Sequence, residues 1–460
     1  MIQRPKEGED VYDLIIRDAE LVRPGRDPIR GSVGIVGEKI RRIWIDEPIN
    51  AESRDVIEGA GLCLLPGLID THVQTYHRSA ERGVSPETRS AALGGVTTSL
   101  MMFRRMEPYG GMLASNIERD ESLAHIDFAY HVALTIPEHL VELPKIIANH
   151  GVKSFKMYMA YRGKDGAALG FQGADDGLLF SAMKTLASYE DTKLLVHAEN
   201  FELSEHLARE LQNAGRDDLE AWTESRPDFV EADAIGRCGL LSTVTGCNVY
   251  IAHVSSAMGL EMIRYWRSRG ASLTAETCPH YLTHTAESSL GPLAKILPPL
   301  RYPRDREALW KALQDGTIDT FGSDHAVVMK AQKVDQNIWT SHPGFPGTGL
   351  LLSVLLSEGF HKGRLSLGQI ANITAGNPAR VFRLPGKGAI DEGADADLVL
   401  VNLDLERIVD GAKLGSDADW SLYDGCSLKG WPVMTISRGT IVVKGETFVG
   451  REGHGRFIRR

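Results

Sequence analysis

From Leu64 to about Phe382 the sequence keeps one texture: apolar stretches of strand length alternate with longer amphipathic stretches. Strands joined by helix-length crossovers form parallel sheets, and a block of this size is that of a closed (β/α)8 barrel. The apolar stretches predict eight strands, ending near Val73, Met102, Ala133, Met157, His197, His253, Cys278 and Ser323, with helices such as 201–213 and 304–314 between them. On either side the texture changes. DLIIRDAELV and SVGIVGEKIRRIWI before the block, and AIDEGADADLVLVNL and TISRGTIVVKGETFVG after Pro385, read as short β segments broken by turns. They predict a small β-sandwich built from both chain ends, residues 1–63 and 386–460, beside a barrel over residues 64–385. The last residues, GREGHGRFIRR, are basic and glycine-rich and read as a solvated end or a strap onto a neighbouring subunit.

Composition narrows the class. With 460 residues, 43% hydrophobic and 24% charged, the chain has the make-up of an ordinary globular protein. Its formal net charge of −10 is spread rather than blocked, so it lacks the clustered Lys and Arg that nucleic acid binding requires. The longest apolar run, near 349–356, is too short to span a bilayer. MIQRPKEGED at the start carries no apolar signal core, and five scattered cysteines include no C-x-x-C pair. A reduced, cytoplasmic protein with no membrane or nucleic acid partner and a small-molecule substrate is expected.

The polar residues at the predicted strand ends carry the chemistry, because a barrel's active site forms where those ends converge. Strand one closes on Asp70-Thr71-His72-Val73-Gln74, and alternation puts Asp70, His72 and Gln74 on one side. In Ser154-Phe155-Lys156-Met157-Tyr158-Met159, the outer helices take Phe155, Met157 and Met159, which turns Lys156 inward. Strand five ends with His197, strand six with His253 and strand eight with Asp324. Any one of these histidines alone reads as a hydrogen-bonded structural residue, Lys156 alone as solvated, and Asp324 alone as a helix cap. Together, in this order at strand ends, they predict a metal site: imidazole and carboxylate suit zinc and similar divalent ions. Metal lowers the pKa of bound water to roughly 7. Burial drives an inward lysine toward the neutral amine, which can take up carbon dioxide and become an anionic, metal-bridging carbamate. Met101 and Met102 read as core packing.

PGLIDTHV at 66–73, SFKMYMAY at 154–161, VHAEN at 196–200, AHVSS at 252–256, ETCPHYL at 276–282, GSDHA at 322–326 and the long stretch 374–401 resemble the cyclic amidohydrolases. These are the dihydropyrimidinases, hydantoinases and allantoinases, and the resemblance runs from about residue 10 to 450. It implies a divalent metal centre, one or two ions per chain, zinc first and cobalt or manganese as alternatives, in which carboxylated Lys156 bridges. His72 and Asp324 then serve one metal, and His197 and His253 the other. Metal-bound hydroxide attacks the carbonyl carbon of a cyclic amide or ureide, Asp324 carries the proton to the leaving nitrogen, and Tyr161 binds the substrate oxyanion. A homotetramer or homodimer is implied as well.

Two positions depart from the family pattern. Where it has His-x-His, this sequence has His72-Val73-Gln74, and an amide oxygen is the poorer zinc ligand. His77 is a conceivable substitute. In SHPGFPG at 341–347, Pro343 stands where dihydropyrimidinases have an asparagine whose main chain clamps the ring. Both departures favour a second reading, a hydrolase of acyclic ureas, carbamates or thiocarbamates like the phenylurea and molinate hydrolases. A third reading, a non-catalytic dihydropyrimidinase-related scaffold, is opposed by the retention of Lys156, Asp324 and three histidines.

Overall fold

The computed structural model describes residues 11–75, 82–163, 166, 170–334 and 337–460; His77 lies outside them. The chain opens with β1 (Tyr12–Leu21), β2 (Ile29–Val36), β3 (Lys39–Trp44), β4 (Ser53–Glu58) and β5 (Cys63–Pro66). The barrel strands follow: β6 (Leu68–Gln74), β7 (Val96–Phe103), β8 (Asp127–Ala133), β9 (Ser154–Tyr158), β10 (Lys193–His197), β11 (Val249–Ile251), β12 (Leu273–Thr277), β13 (Thr320–Phe321) and β14 (His325–Ala326). The first sheet is then completed by β15 (Leu398–Ile408), β16 (Ser427–Ser437), β17 (Thr440–Lys444) and β18 (Thr447–Phe448). Its order is β18-β17-β16-β15-β5-β1-β2-β3, with β4 beside β1.

Both chain ends meet where β15 pairs antiparallel with β5, Leu398 opposite Pro66 and Val401 opposite Cys63. The continuous apolar text of these two strands follows from burial on both faces. Leu64, Leu398 and Leu400 pack with Leu14, Val33 and Ile35 in the core of this sheet. Cys63, Leu65, Val399 and Val401, the alternate residues, join the core that covers the barrel.

β6 to β13 run parallel in sequence order, and β14 returns to β6, His325 opposite Val73. The eighth barrel strand is thus split by Gly322-Ser323-Asp324, and the split lets it bond to the seventh strand with one half and to the first with the other. Asp324 makes the break with φ at 48°. Every predicted strand end falls within two residues of an observed one, and the predicted helices are present as Phe201–Asn213 and Pro303–Gln314. Phe155, Met157 and Met159 face the helix layer as expected, with Met101. Inside the ring, Ile69, Leu100, Met102, Ala129, Leu195 and Tyr250 pack on Phe382 and Leu384, which enter from the segment after the last barrel unit. That filling leaves the upper, C-terminal ends of the strands for chemistry.

The basic tail is not solvated throughout. It lies along its own barrel: Phe128 N–H donates to Arg456 O at 2.9 Å, Ile458 N–H to Phe128 O at 2.7 Å and Arg460 N–H to Gly151 O at 2.9 Å. Phe457 is the reason, buried with ring centroids 5.5 Å from Phe128 and 5.3 Å from Tyr130. Phe457→Ala is therefore expected to cost about 3 kcal/mol, the usual loss for a buried aromatic, and to lower the melting temperature without changing the site's geometry. A scanning calorimetry trace matching that of the parent would show the tail to be energetically idle.

All five cysteines are free thiols. Among the described residues, no helix is long and apolar enough to cross a membrane.

Candidate metal centre and catalytic cavity

Strand β6 does not keep simple alternation, because its register with β7 shifts between Asp70 and Val73. Asp70 consequently leaves the side that it was expected to share with His72 and Gln74. Its Oδ1 accepts Ser323 N–H at 3.0 Å and His72 N–H at 3.2 Å, and its Oδ2 accepts the hydroxyls of Ser323 at 2.6 Å and Thr348 at 2.7 Å. Burial pushes its pKa up, and these bonds pull it back. Asp70 is thus the pin that holds the split eighth strand to the first.

The same shift brings two adjacent residues to one carboxylate. Thr71 Oγ1 donates to Glu276 Oε2 at 2.5 Å, and His72 Nδ1 lies 2.9 Å from Glu276 Oε1. His253 N–H adds a third bond to Oε1 at 3.1 Å, and Tyr250 Oη a fourth, to Oε2, at 2.7 Å. A carboxylate on one imidazole nitrogen fixes the ring and raises the basicity of the other nitrogen. His72 Nε2 then faces Asp324 Oδ1 at 3.2 Å. Glu199 does the same for His197, taking its Nε2 at 2.6 Å. Burial pushes Glu199 up, but the bond and charge of His197 outweigh it and hold the carboxyl below its ordinary value. Neither Glu276 nor Glu199 was singled out from sequence. Their signal was available, an acid inside ETCPHYL and another two residues after a strand-end histidine in VHAEN.

The three imidazoles converge, His72 and His253 with ring centroids 5.3 Å apart and His197 and His253 4.6 Å apart. Burial lowers the pKa of His197 and His253, which keeps lone pairs available. Lys156 is 1% exposed, and its Nζ has no hydrogen-bond partner. Burial pushes this amine down to about 8, against the opposing charges of Asp324 and Glu276. Gln74 donates its amide N–H to Asp324 Oδ1 at 2.5 Å. Asp324 itself is pushed up by burial, and His72 and the Gln74 bond resist that shift. Tyr161, His253 and Asp324 all carry positive φ, at 59°, 42° and 48°. Left-handed backbone at non-glycine residues costs of order 1–3 kcal/mol each, and here it gathers at one place.

Above the histidines lies a narrow cavity of about 40 Å³, walled by Gln74, Arg104, Tyr158, Tyr161, Phe171, Asp324 and Pro343. Tyr161 sits with its ring 5.0 Å from that of His197. Two buried lysines hold the wall at 339–344. Lys295 Nζ donates to Ser341 O at 2.7 Å, and Lys333 Nζ to Gly344 O at 2.7 Å and to Lys295 O at 2.9 Å. Gly344 spends its own N–H on Lys295 O at 3.0 Å, and Pro343 has none.

Among the described residues, no three His, Cys, Asp or Glu side chains close into a ready-made ligand cage. His197 is engaged with Glu199, and Asp324 with Gln74 and His72. The donor chemistry nevertheless fits a divalent ion. A buried amine without a hydrogen-bond partner, in the field of Asp324 and beside converging imidazoles, suits carboxylation to an anion that a bound cation would neutralise.

The sequence profile of the Amidohydrolase family matches residues 63–442. An allantoinase from Rubrobacter xylanophilus is 34% identical over 97% of this chain and 98% of its own length. An L-hydantoinase from Paenarthrobacter aurescens is 32% identical over 98% of each. The crystallised L-hydantoinase (dihydropyrimidinase) of Arthrobacter aurescens superposes with a TM-score of 0.91 at 30% identity, over 98% of this chain and 100% of that one. The dihydropyrimidinase of Brevibacillus agri NCHU1002 gives 0.87 at 30% identity over 97% and 98%. The chain belongs to the amidohydrolase family, among its cyclic amidohydrolases, and is an enzyme that hydrolyses non-peptide carbon–nitrogen bonds.

Proposed function

We propose that this enzyme opens a cyclic amide or ureide of the hydantoin or dihydropyrimidine type, and that His72, Lys156, His197, His253 and Asp324, with Gln74 at the edge, hold one or two divalent ions. The orphaned amine of Lys156 carries the reading. Its carboxylated form would supply an anion beside the three imidazoles. A bound zinc, cobalt or manganese ion supplies Lewis acidity and lowers the pKa of water at the site. The chain's own residues do the rest. Asp324, lodged between Gln74 and His72, takes the proton of the attacking water and hands it to the leaving ring nitrogen. Tyr161 donates its hydroxyl to the oxygen on which negative charge develops. Glu276 and Glu199 hold two imidazoles in one tautomer. Lys295 and Lys333 keep the 339–344 wall in place against the ring. We place the enzyme in the cytoplasm as a homotetramer or homodimer, in keeping with its five free thiols.

The test is elemental analysis of chelator-free protein, together with turnover of hydantoins, dihydrouracil and a phenylurea. Metal with ring opening upholds the reading. Turnover of the acyclic urea alone replaces it with the second reading, which Pro343, having no N–H for a ring clamp, favours. No metal after reconstitution, and no turnover, overturns it. Gln74→His is expected to bring metal content toward two ions per chain, because imidazole replaces an amide that now donates to Asp324. Unchanged metal affinity would place Gln74 outside the ligand set.

A further inference from the structure

We propose that Arg460 is a positioning residue for the metal centre: through Ser154 and His131 it fixes the Thr71–His72 peptide, and with it the direction in which His72 presents its ring. The inference rests on the reading above that His72 belongs to the reacting centre. The register shift on β6 drops Thr71 and His72 from the paired register with β7, which resumes at Val73. A peptide outside the ladder needs other partners. On one side His72 N–H donates to Asp70 Oδ1. On the other, Thr71 O lies 3.1 Å from Nε2 of His131, which reaches it from β8, across β7. His131 is buried and is held in turn. Its Nδ1 lies 2.7 Å from Ser154 Oγ, and Ser154 Oγ accepts an N–H of Arg460 Nη2 at 2.8 Å. The same Nη2 donates to Tyr130 O at 3.1 Å.

The chemistry of the atoms fixes the direction of each bond along this path. A carbonyl only accepts, so His131 Nε2 carries a proton and donates to Thr71 O. Burial and the charge of Arg460 both oppose a second proton, so Nδ1 offers a lone pair. Ser154 gives its one hydroxyl hydrogen to that lone pair rather than to Tyr130 O, which lies farther off at 3.2 Å. Its oxygen is then left to accept, and a guanidinium only donates. With the Arg460 side chain gone, the hydroxyl is free to turn to Tyr130 O, His131 can carry its proton on Nδ1, and a lone pair then faces Thr71 O. Ser154 also opens β9 two residues before Lys156, so the two share the inward face. Anchorage of the tail does not call for this side chain. Arg460 N–H already bonds to Gly151 O, and Phe457 fills the apolar seat. Arg460 Nε and Nη1 are buried with no hydrogen-bond partner among the described residues, a solvation cost that attachment alone leaves unrecovered.

The experiment measures kcat, KM and melting temperature of the metal-loaded enzyme in the parent, in Arg460→Met, Arg460→Lys, Ser154→Ala and Phe457→Ala, and in the double variant of Arg460→Met with Ser154→Ala. Arg460→Met and Ser154→Ala are each expected to lower kcat about tenfold, the lower end for an outer partner of a metal ligand, with KM little changed. Arg460→Lys, which keeps a donor and the charge, should recover most of that loss. The two substitutions should add in melting temperature but not in kcat, because Ser154→Ala has already cut the path. Phe457→Ala spares the path, and should lose stability and keep kcat. Additive losses of kcat, or a parental kcat in Arg460→Met, overturn the inference and leave the hydrolase reading intact. Nitrogen-15 ring shifts of His131 in the metal-free protein read the same point without turnover. The parent is expected in the neutral Nε2–H form, with Arg460→Met and Ser154→Ala both shifted away from it. Identical shifts in all three overturn the inference. Should no ring open with any metal, the ring-opening reading fails, and the His131 shifts decide the inference separately.

Discussion

Lys156→Ala is expected to yield a folded barrel that holds no metal and turns over no substrate. The amine is buried without a partner, so its removal relieves an unpaired polar group rather than breaking a bond. Its stem borders the ring interior, where Phe382 and Leu384 already fill the lower half, so the barrel keeps its support. On the proposed reading, what is lost is the anion that carboxylated Lys156 would supply to the metal ligands. Metal content should fall to near zero and kcat/KM by at least about a thousandfold, the scale of losing a group that acts in the transition state. Circular dichroism and melting temperature should match those of the metal-free parent. A variant that keeps its metal or its turnover would remove Lys156 from the centre altogether.

Asp324→Asn is the second large effect. The substitution keeps the shape of the side chain and leaves an oxygen to accept the Gln74 amide, so the contact at 2.5 Å survives in neutral form. It removes the ability to carry a proton. The expected result is a fall in kcat of roughly 10²–10⁴, the range for general acid–base catalysis, with KM far less affected. Retained metal with lost kcat would separate proton transfer from ligation. Loss of the metal as well would show that Asp324 acts chiefly as a ligand. A kcat close to that of the parent would assign the proton to another group.

The strand ends were legible because polar residues interrupt apolar text there, and His72, Lys156, His197, His253 and Asp324 were singled out on that ground alone. The arrangement around them was hidden. Strict alternation misplaced Asp70 because one register shift on β6 has no compositional signature. Glu276 reaches Thr71 and His72 across some two hundred positions, and Lys333 reaches Gly344 through a carbonyl that any residue possesses. The tail's docking on its own barrel was hidden because Arg and Gly dominate its composition, whereas Phe457 and backbone bonds hold it there. Contacts made through the backbone or across distant strands leave little trace in local sequence, while residue types confined to strand ends leave a plain one.

The seam between β5 and β15 also sets an order of events in the cell. Every residue proposed as metal ligand, proton carrier or oxyanion donor lies between positions 72 and 324, so a ribosome has exposed that set before it reaches Leu398. Until then β5 has no partner on the edge that β15 will occupy, and its apolar residues lack half of their cover. More than three hundred codons separate Pro66 from Leu398. At about 5–20 residues per second the nascent chain carries that open edge for tens of seconds. A chain that ends before Leu398 therefore leaves the β5 edge of the seam uncovered.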